Sequence, residues 1–237
     1  MNRRASAFAA GRLAATSFAF AMGLMASACG QEAARTTATP APPLLPPDAA
    51  KKCVLLLHGK SGGAQPSFVT AGIEHLRPGG NGSGWGGREW RYFPESGYAQ
   101  VRETLVTALD AAGCGQAIVQ GFSNGGAAAA KLYCRGEDFG GRVIGYIIDD
   151  PVPDEAVLGC KPRAGMRVKL YWTGGLNVAT DGWSCAAQDW TCEGGRTIGI
   201  ARYARELGTE AAQSIHTTHA EYASPPEATA WFKPAAD

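Results

Sequence analysis

The chain has 237 residues, 45% of them hydrophobic and 18% charged, with 22 basic and 21 acidic side chains and a net charge of +1. Those are globular proportions, and the length suits one domain plus targeting segments. A balanced charge with no Lys/Arg run excludes a surface built to track a phosphate backbone.

The N-terminus reads as an address. Arg3, Arg4 and Arg12 precede a soft apolar stretch from Leu13 to Met25, and small residues Ala26-Ser27-Ala28 stand directly before Cys29. This is the anatomy of a secretory signal, too short and Ala-rich for a spanning helix. A cysteine after small residues resembles a bacterial lipobox, although Ala26 stands where leucine is commoner. Cleavage would then leave residues 1–28 as signal and Cys29 as a lipidated first residue. From Gly30 to Ala50 the chain is Pro/Ala/Thr-rich and ends in Pro42-Pro43-Leu44-Leu45-Pro46-Pro47. It cannot bury enough apolar surface to offset its ordering entropy, so residues 29–50 are expected to be an extended tether. Residues 51–237 remain for one domain.

In that domain strand and helix patterns alternate. Val54–Leu57 is an apolar run stopping at His58-Gly59, as a buried parallel strand would. Glu89–Phe93 predicts a weaker strand. Tyr98–Ala112 carries apolar Val101, Leu105, Ala108, Leu109 and Ala112 at helical spacing. Ala117–Val119 is a second buried strand, followed by the small-residue helix Ala127–Tyr133. Strands follow at Val143–Ile148 and Val168–Trp172, then a helix over Ile198–Leu207 closed by Gly208, a strand at Gln213–Thr217 and a helical turn at Ala228–Phe232. The alternation predicts an α/β fold, a mostly parallel sheet of about six strands with helices on both faces. The short spacers leave no room for a lid domain.

Two motifs carry chemistry. Gly121-x-Ser123-x-Gly125 lies between a strand and a helix, the context in which a serine sits on a sharp turn as a nucleophile. Side chains at the flanking positions would strike the neighbouring strand and helix, so glycine occupies them. The second motif, His58-Gly59-Lys60-Ser61-Gly62-Gly63, ends the first domain strand. It resembles the His-Gly loop of α/β-hydrolases. That resemblance assigns the N–H groups of Lys60 and Asn124 to an oxyanion hole and leaves His58 structural.

A serine hydroxyl needs a base. The four histidines are His58, His75, His216 and His219. His219 is favoured over His216 because it lies just past a strand end, where reacting groups sit. The acid that orients the base is sought between serine and histidine, among Asp149, Asp150, Asp181 and Asp189. Cys185-x3-Asp189-x2-Cys192 and His219-Ala220-Glu221-Tyr222 resemble the pinned acid loop and the base segment of cutinases, small lidless serine esterases. The elbow Gly-Phe-Ser-Asn-Gly-Gly is closer to the carboxylesterase and dienelactone-hydrolase branches. The cutinase resemblance implies Asp189 as the acid; Asp181 and Asp150 stay open.

Apart from Cys29, six cysteines remain, which allow fifteen pairings. The strand order of the fold implied by the resemblance brings Cys53 to Cys114, and cutinases carry a disulfide there. Cys185 is near Cys192, leaving Cys134 with Cys160. An even set agrees with an oxidising compartment, and no His/Cys cluster has metal-ligand spacing.

The expectation is thus an exported or lipid-anchored α/β-hydrolase, monomeric and without cofactor or metal. It would cleave small or polymeric carboxylic esters through Ser123, His219 and an aspartate, with the membrane reached through Cys29. The same constellation serves peptidases and thioesterases, and a catalytically idle surface binding module could keep the fold. Trp85, Trp90, Tyr92 and Phe93 could line the cleft or pack as a surface loop.

Overall fold

The structure, a computed structural model, describes residues 50–84, 86–172, 181–184, 196–213, 219, 228 and 230–232, with backbone alone at 181–184, 196–197 and 213. The strands are β1 (Lys52–Leu57), β2 (Gln65–Thr70), β3 (Ile73–Arg77), β4 (Gly82–Gly84), β5 (Gly87–Glu89), β6 (Gln116–Phe122), β7 (Val143–Asp149), β8 (Arg167–Trp172), β9 (Asp181–Ser184), β10 (Arg196–Ile198) and β11 (Ala211–Gln213). The helices are α1 (Glu95–Ala112), α2 (Asn124–Cys134) and α3 (Ile200–Leu207), with a 3-10 turn at Glu155–Val157.

Seven strands form one sheet in the order β11-β8-β7-β6-β1-β3-β2. All neighbours are parallel except the edge pair β2 and β3. The molecule is therefore a mixed α/β protein with a mostly parallel sheet, and the described residues fall in one compact unit. Its central strands are apolar on both faces because both faces are covered. Leu55, Val119, Tyr146 and Ile148 enter a core shared with Val101 and Leu105 of α1, Leu132 of α2 and Tyr203 of α3. Their chain neighbours Val54, Ile118 and Ile147 turn to a second core with Ala228 and Phe232. Among the described residues, the three helices thus share one core, and the other is closed by Ala228, Trp231 and Phe232.

The helices differ in how they are built. α1 buries Tyr98, Val101, Leu105 and Leu109, one stripe at helical period, and ends at Gly113 with φ 67°, the left-handed position that glycine takes without strain. α2 is buried almost all round; its Gly-Gly-Ala-Ala-Ala-Ala start keeps the backbone close against β6 and β7.

Two expectations shift. The run Glu89–Phe93 is strand only at Glu89, and the reason is local. The N–H and C=O of Trp90 are both taken by the Asn124 side chain, at 2.6 and 3.1 Å. The N–H and C=O of Arg91 are taken likewise by Asn81, at 2.7 and 3.0 Å. Side-chain amides replace the neighbouring strand that a ladder needs. The second shift is an addition, the β2–β3 hairpin at the sheet edge, where β2 is exposed along its whole length.

Parallel register decides what meets at the carboxyl rim. Leu57 lies opposite Gly121, Phe122 opposite Asp149, and Asp149 opposite Tyr171. The next residues of β1, β6 and β7, namely His58, Ser123 and Asp150, therefore leave the sheet side by side.

Candidate active site

Ser123 stands between β6 and α2 with φ 55° and ψ −117°, a conformation that costs a non-glycine residue about 1–3 kcal/mol. The elbow is held from both sides: the Ser123 N–H donates to the Asp149 carbonyl at 3.0 Å, and its own carbonyl accepts from the Ala127 N–H at 3.0 Å. The flanking glycines are enforced by backbone. A Cβ on Gly121 would fall on the Gly125 carbonyl, and one on Gly125 on the carbonyls of Leu57 and His58. At Gly126 it would stand 3.0 Å from the carbonyl oxygens of both Asp149 and Gly121.

His219 Nε2 lies 3.0 Å from Ser123 Oγ, and its Nδ1 lies 2.5 Å from Asp150 Oδ2. A carboxylate accepts from Nδ1–H, which leaves Nε2 to accept from the serine hydroxyl. The imidazole also stacks on Phe122, with ring centroids 4.8 Å apart and planes 25° apart. The Asp150 side chain is fully buried while that of His219 is 28% exposed. A buried carboxyl group thus backs an imidazole that faces outward. The turn after β7 places Asp150: its φ is 41° and its N–H donates to the Tyr171 carbonyl at 3.0 Å.

The carboxylate on His219 is therefore that of Asp150, in the place the cutinase-like pattern gives to Asp189. Asp189 and His216 lie outside the described residues; Asp181 belongs to β9, and its side chain lies outside them too. The signal for Asp150 was present in the sequence as the acidic end of the strand after the elbow helix. Its force comes from register, because β7 is hydrogen-bonded directly to β6 and ends level with Ser123.

The loop after β1 abuts the elbow. A Cβ on Gly59 would lie 3.1 Å from the Phe122 ring and 3.3 Å from Ser123 Cβ. Within the loop, the Gly62 N–H donates to the Gly59 carbonyl at 3.2 Å and Ser61 adopts φ 64°. His58 is a bracket: Nδ1–H donates to the Gly59 carbonyl at 2.6 Å, and Nε2 accepts from the Gly80 N–H at 3.0 Å. Only a neutral ring makes both bonds at once, because Nε2 must be unprotonated to accept from Gly80. Burial lowers the His58 pKa, opposed by the bond to Gly59 and assisted by nearby Arg88. Lys60 lies in the turn, with Nζ 3.6 Å from Glu89 Oε2. Asn124 is the first residue of α2, so its N–H belongs to the positive end of the helix.

Of the aromatic stretch, Trp90 and Tyr92 are buried, not cleft-lining, and the Tyr92 hydroxyl donates to buried Asp154 at 2.5 Å; Phe93 is 40% exposed and Trp85 lies outside the described residues. Disulfides join Cys53 to Cys114 and Cys134 to Cys160, while Cys29, Cys185 and Cys192 lie outside the described residues. Among the described residues no three His, Cys, Asp or Glu side chains are grouped to hold a metal ion, and no helix is long and apolar enough to cross a membrane.

No protein-family model and no curated protein matches this chain. Among solved structures it is similar to a proline iminopeptidase from Mycobacterium smegmatis, at 15% identity and a TM-score of 0.32. The match covers 46% of this chain and 37% of that one, so the chain spans well under half of that protein's length.

Proposed function

We propose that the protein is a serine hydrolase of the α/β-hydrolase class that cleaves carboxylic esters through an acyl-enzyme. The observation that carries this is the unbroken row Ser123 Oγ–His219–Asp150, at 3.0 and 2.5 Å, with the serine held at a positive φ where β6 enters α2. Oγ attacks the acyl carbon as its proton passes to Nε2. The N–H groups of Lys60 and Asn124 hold the oxyanion, and buried Asp150 offsets the charge that develops on the imidazole. His219 then returns the proton to the leaving alcohol. Water, deprotonated by the same nitrogen, attacks the acyl-enzyme and releases the carboxylic acid and free Ser123. No step calls for a cofactor.

Residues 1–28 would direct export and Cys29 would carry the lipid anchor, with residues 29–50 as tether. The two disulfides support an oxidising compartment.

The test is hydrolysis of p-nitrophenyl acetate and butyrate by the folded, oxidised domain beside Ser123→Ala, with covalent labelling by a fluorophosphonate. Turnover and labelling that vanish in Ser123→Ala are expected. A folded wild type that does neither would sink the esterase reading and favour an idle binding module. Hydrolysis of peptide or thioester substrates with no oxyester turnover would move the activity to those classes.

A further inference from the structure

Trp90 is wholly buried, and a buried indole N–H needs a partner. It donates to the His58 carbonyl at 3.1 Å. That carbonyl belongs to the loop bearing Lys60, two residues upstream of the proposed oxyanion donor. The backbone of Trp90 is fixed by the other wall of the same site. Asn124 Oδ1 accepts from its N–H at 2.6 Å, and Asn124 Nδ2 donates to its carbonyl at 3.1 Å. One residue thus joins the side chain that follows the nucleophile to the loop that follows β1.

The surroundings stiffen this link. The His58 ring lies against the indole at 5.3 Å between centroids. The hairpin preceding Trp90 clamps the loop from outside: Arg88 donates to the Gly80 carbonyl through Nε at 2.9 Å, its own N–H donates to the Gly62 carbonyl at 2.8 Å, and the Gly80 N–H meets His58 Nε2 at 3.0 Å. On the elbow side, a Cβ on Gly125 would come within 2.6 Å of the same His58 oxygen. The His58 carbonyl is therefore set against the elbow from one side and tied to Trp90 from the other.

We propose that Trp90 is a positioning residue that fixes the separation of the Lys60 and Asn124 N–H groups, and that the Asn124 side chain serves the oxyanion hole through it. This rests on the hydrolase reading above. Oxyanion donors act only when preorganised, and loss of one lowers kcat by about 10²–10³-fold. Displacing a donor without removing it should lower kcat by about tenfold, or roughly 1.4 kcal/mol. Substrate binding in the ground state, which makes little use of the hole, should be spared.

The decisive variant is Trp90→Phe, which keeps a buried ring and deletes the N–H. With p-nitrophenyl butyrate, kcat should fall about tenfold with KM within about twofold. Affinity for a phenylboronic acid, to which Ser123 Oγ adds reversibly with a boronate oxygen in the hole, should fall by the same factor. A merely structural role for Trp90 would lower the melting midpoint and leave kcat and boronate affinity of the folded fraction unchanged, which overturns the proposal. A loss of kcat without loss of boronate affinity overturns it equally. Should Trp90→Phe fail to fold, Asn124→Ser keeps the backbone donor at 124 but cannot reach both Trp90 groups, and must show the same paired loss. Wild type that turns over the ester and binds the boronate, beside variants that do so equally well, refutes the positioning role alone. Wild type that does neither refutes the hydrolase reading, and this role with it.

Discussion

Asp150→Asn separates the structural assignment from the cutinase-like pattern most sharply. The substitution is isosteric at a fully buried position, so packing is preserved while the charge 2.5 Å from His219 Nδ1 is lost. Two effects then act on the reaction. The imidazolium formed during attack loses its counter-charge; unit charges about 4 Å apart attract by about 4 kcal/mol at an effective dielectric near 20. The asparagine amide also offers a donor to Nδ1, which favours the tautomer with a proton on Nε2, facing Ser123 Oγ, where an acceptor is needed. At about 1.4 kcal/mol per decade the electrostatic part alone predicts a loss of about a thousandfold in kcat/KM. The assay is p-nitrophenyl butyrate hydrolysis by wild type, Asp150→Asn and Asp189→Asn, with circular dichroism showing that each variant is folded. Retention of more than about a tenth of wild-type activity by Asp150→Asn, with collapse in Asp189→Asn, would refute the assignment.

Ser123→Gly should abolish the proposed activity yet relieve the positive-φ strain at 123, so its urea midpoint should rise, by about 1 kcal/mol in stability; a lower midpoint would show that the elbow stores no strain there. The Cys53–Cys114 bridge spans 61 residues and the Cys134–Cys160 bridge 26. Loop-closure entropy predicts losses of about 4.3 and 3.5 kcal/mol for the paired Cys→Ala variants, and chemical denaturation should rank them in that order. Burial lowers the folded-state pKa of His58 from 6.5, so its contribution to stability is full above 6.5 and is lost as pH falls through the lowered value. The protonated ring can no longer accept from Gly80. Stability measured from neutral to mildly acid pH should decline less in His58→Gln than in wild type; His75, whose pKa burial also lowers, titrates in both proteins, and equal slopes would remove His58 as the cause.

Much of the fold was legible because its signals are local. Val54–Leu57, Ala117–Val119 and Val143–Ile148 read as buried strands from unbroken apolar runs, and they form the middle of the sheet. The stripe Val101, Leu105 and Leu109 fixed α1, and Gly208, at φ 71°, ends α3 where the sequence places a cap. The β2–β3 hairpin leaves no pattern in the sequence because Gln65–Thr70 is an exposed edge with no buried face to impose a period. The run Glu89–Phe93 looked like a strand because its aromatic content is strand-like. Its partners are instead the amides of Asn81 and Asn124, ten and thirty-four residues away along the chain.

The candidate site divides along the same line. The sequence by itself determined that Ser123 would sit on a glycine-flanked turn, since those glycines answer a steric demand within a few residues. It also singled out His219 from the four histidines, on a strand expected at Gln213–Thr217 of which Gln213, the end of β11, is the described part. Only the tertiary structure decided which carboxylate meets the histidine and where Trp90 packs. Asp150 reaches His219 through the register of β7 on β6, and Trp90 meets Asn124 and His58 across thirty-odd residues of chain. Such meetings depend on which strands are neighbours and where each one ends, and a pattern of residue types along the chain does not contain that geometry.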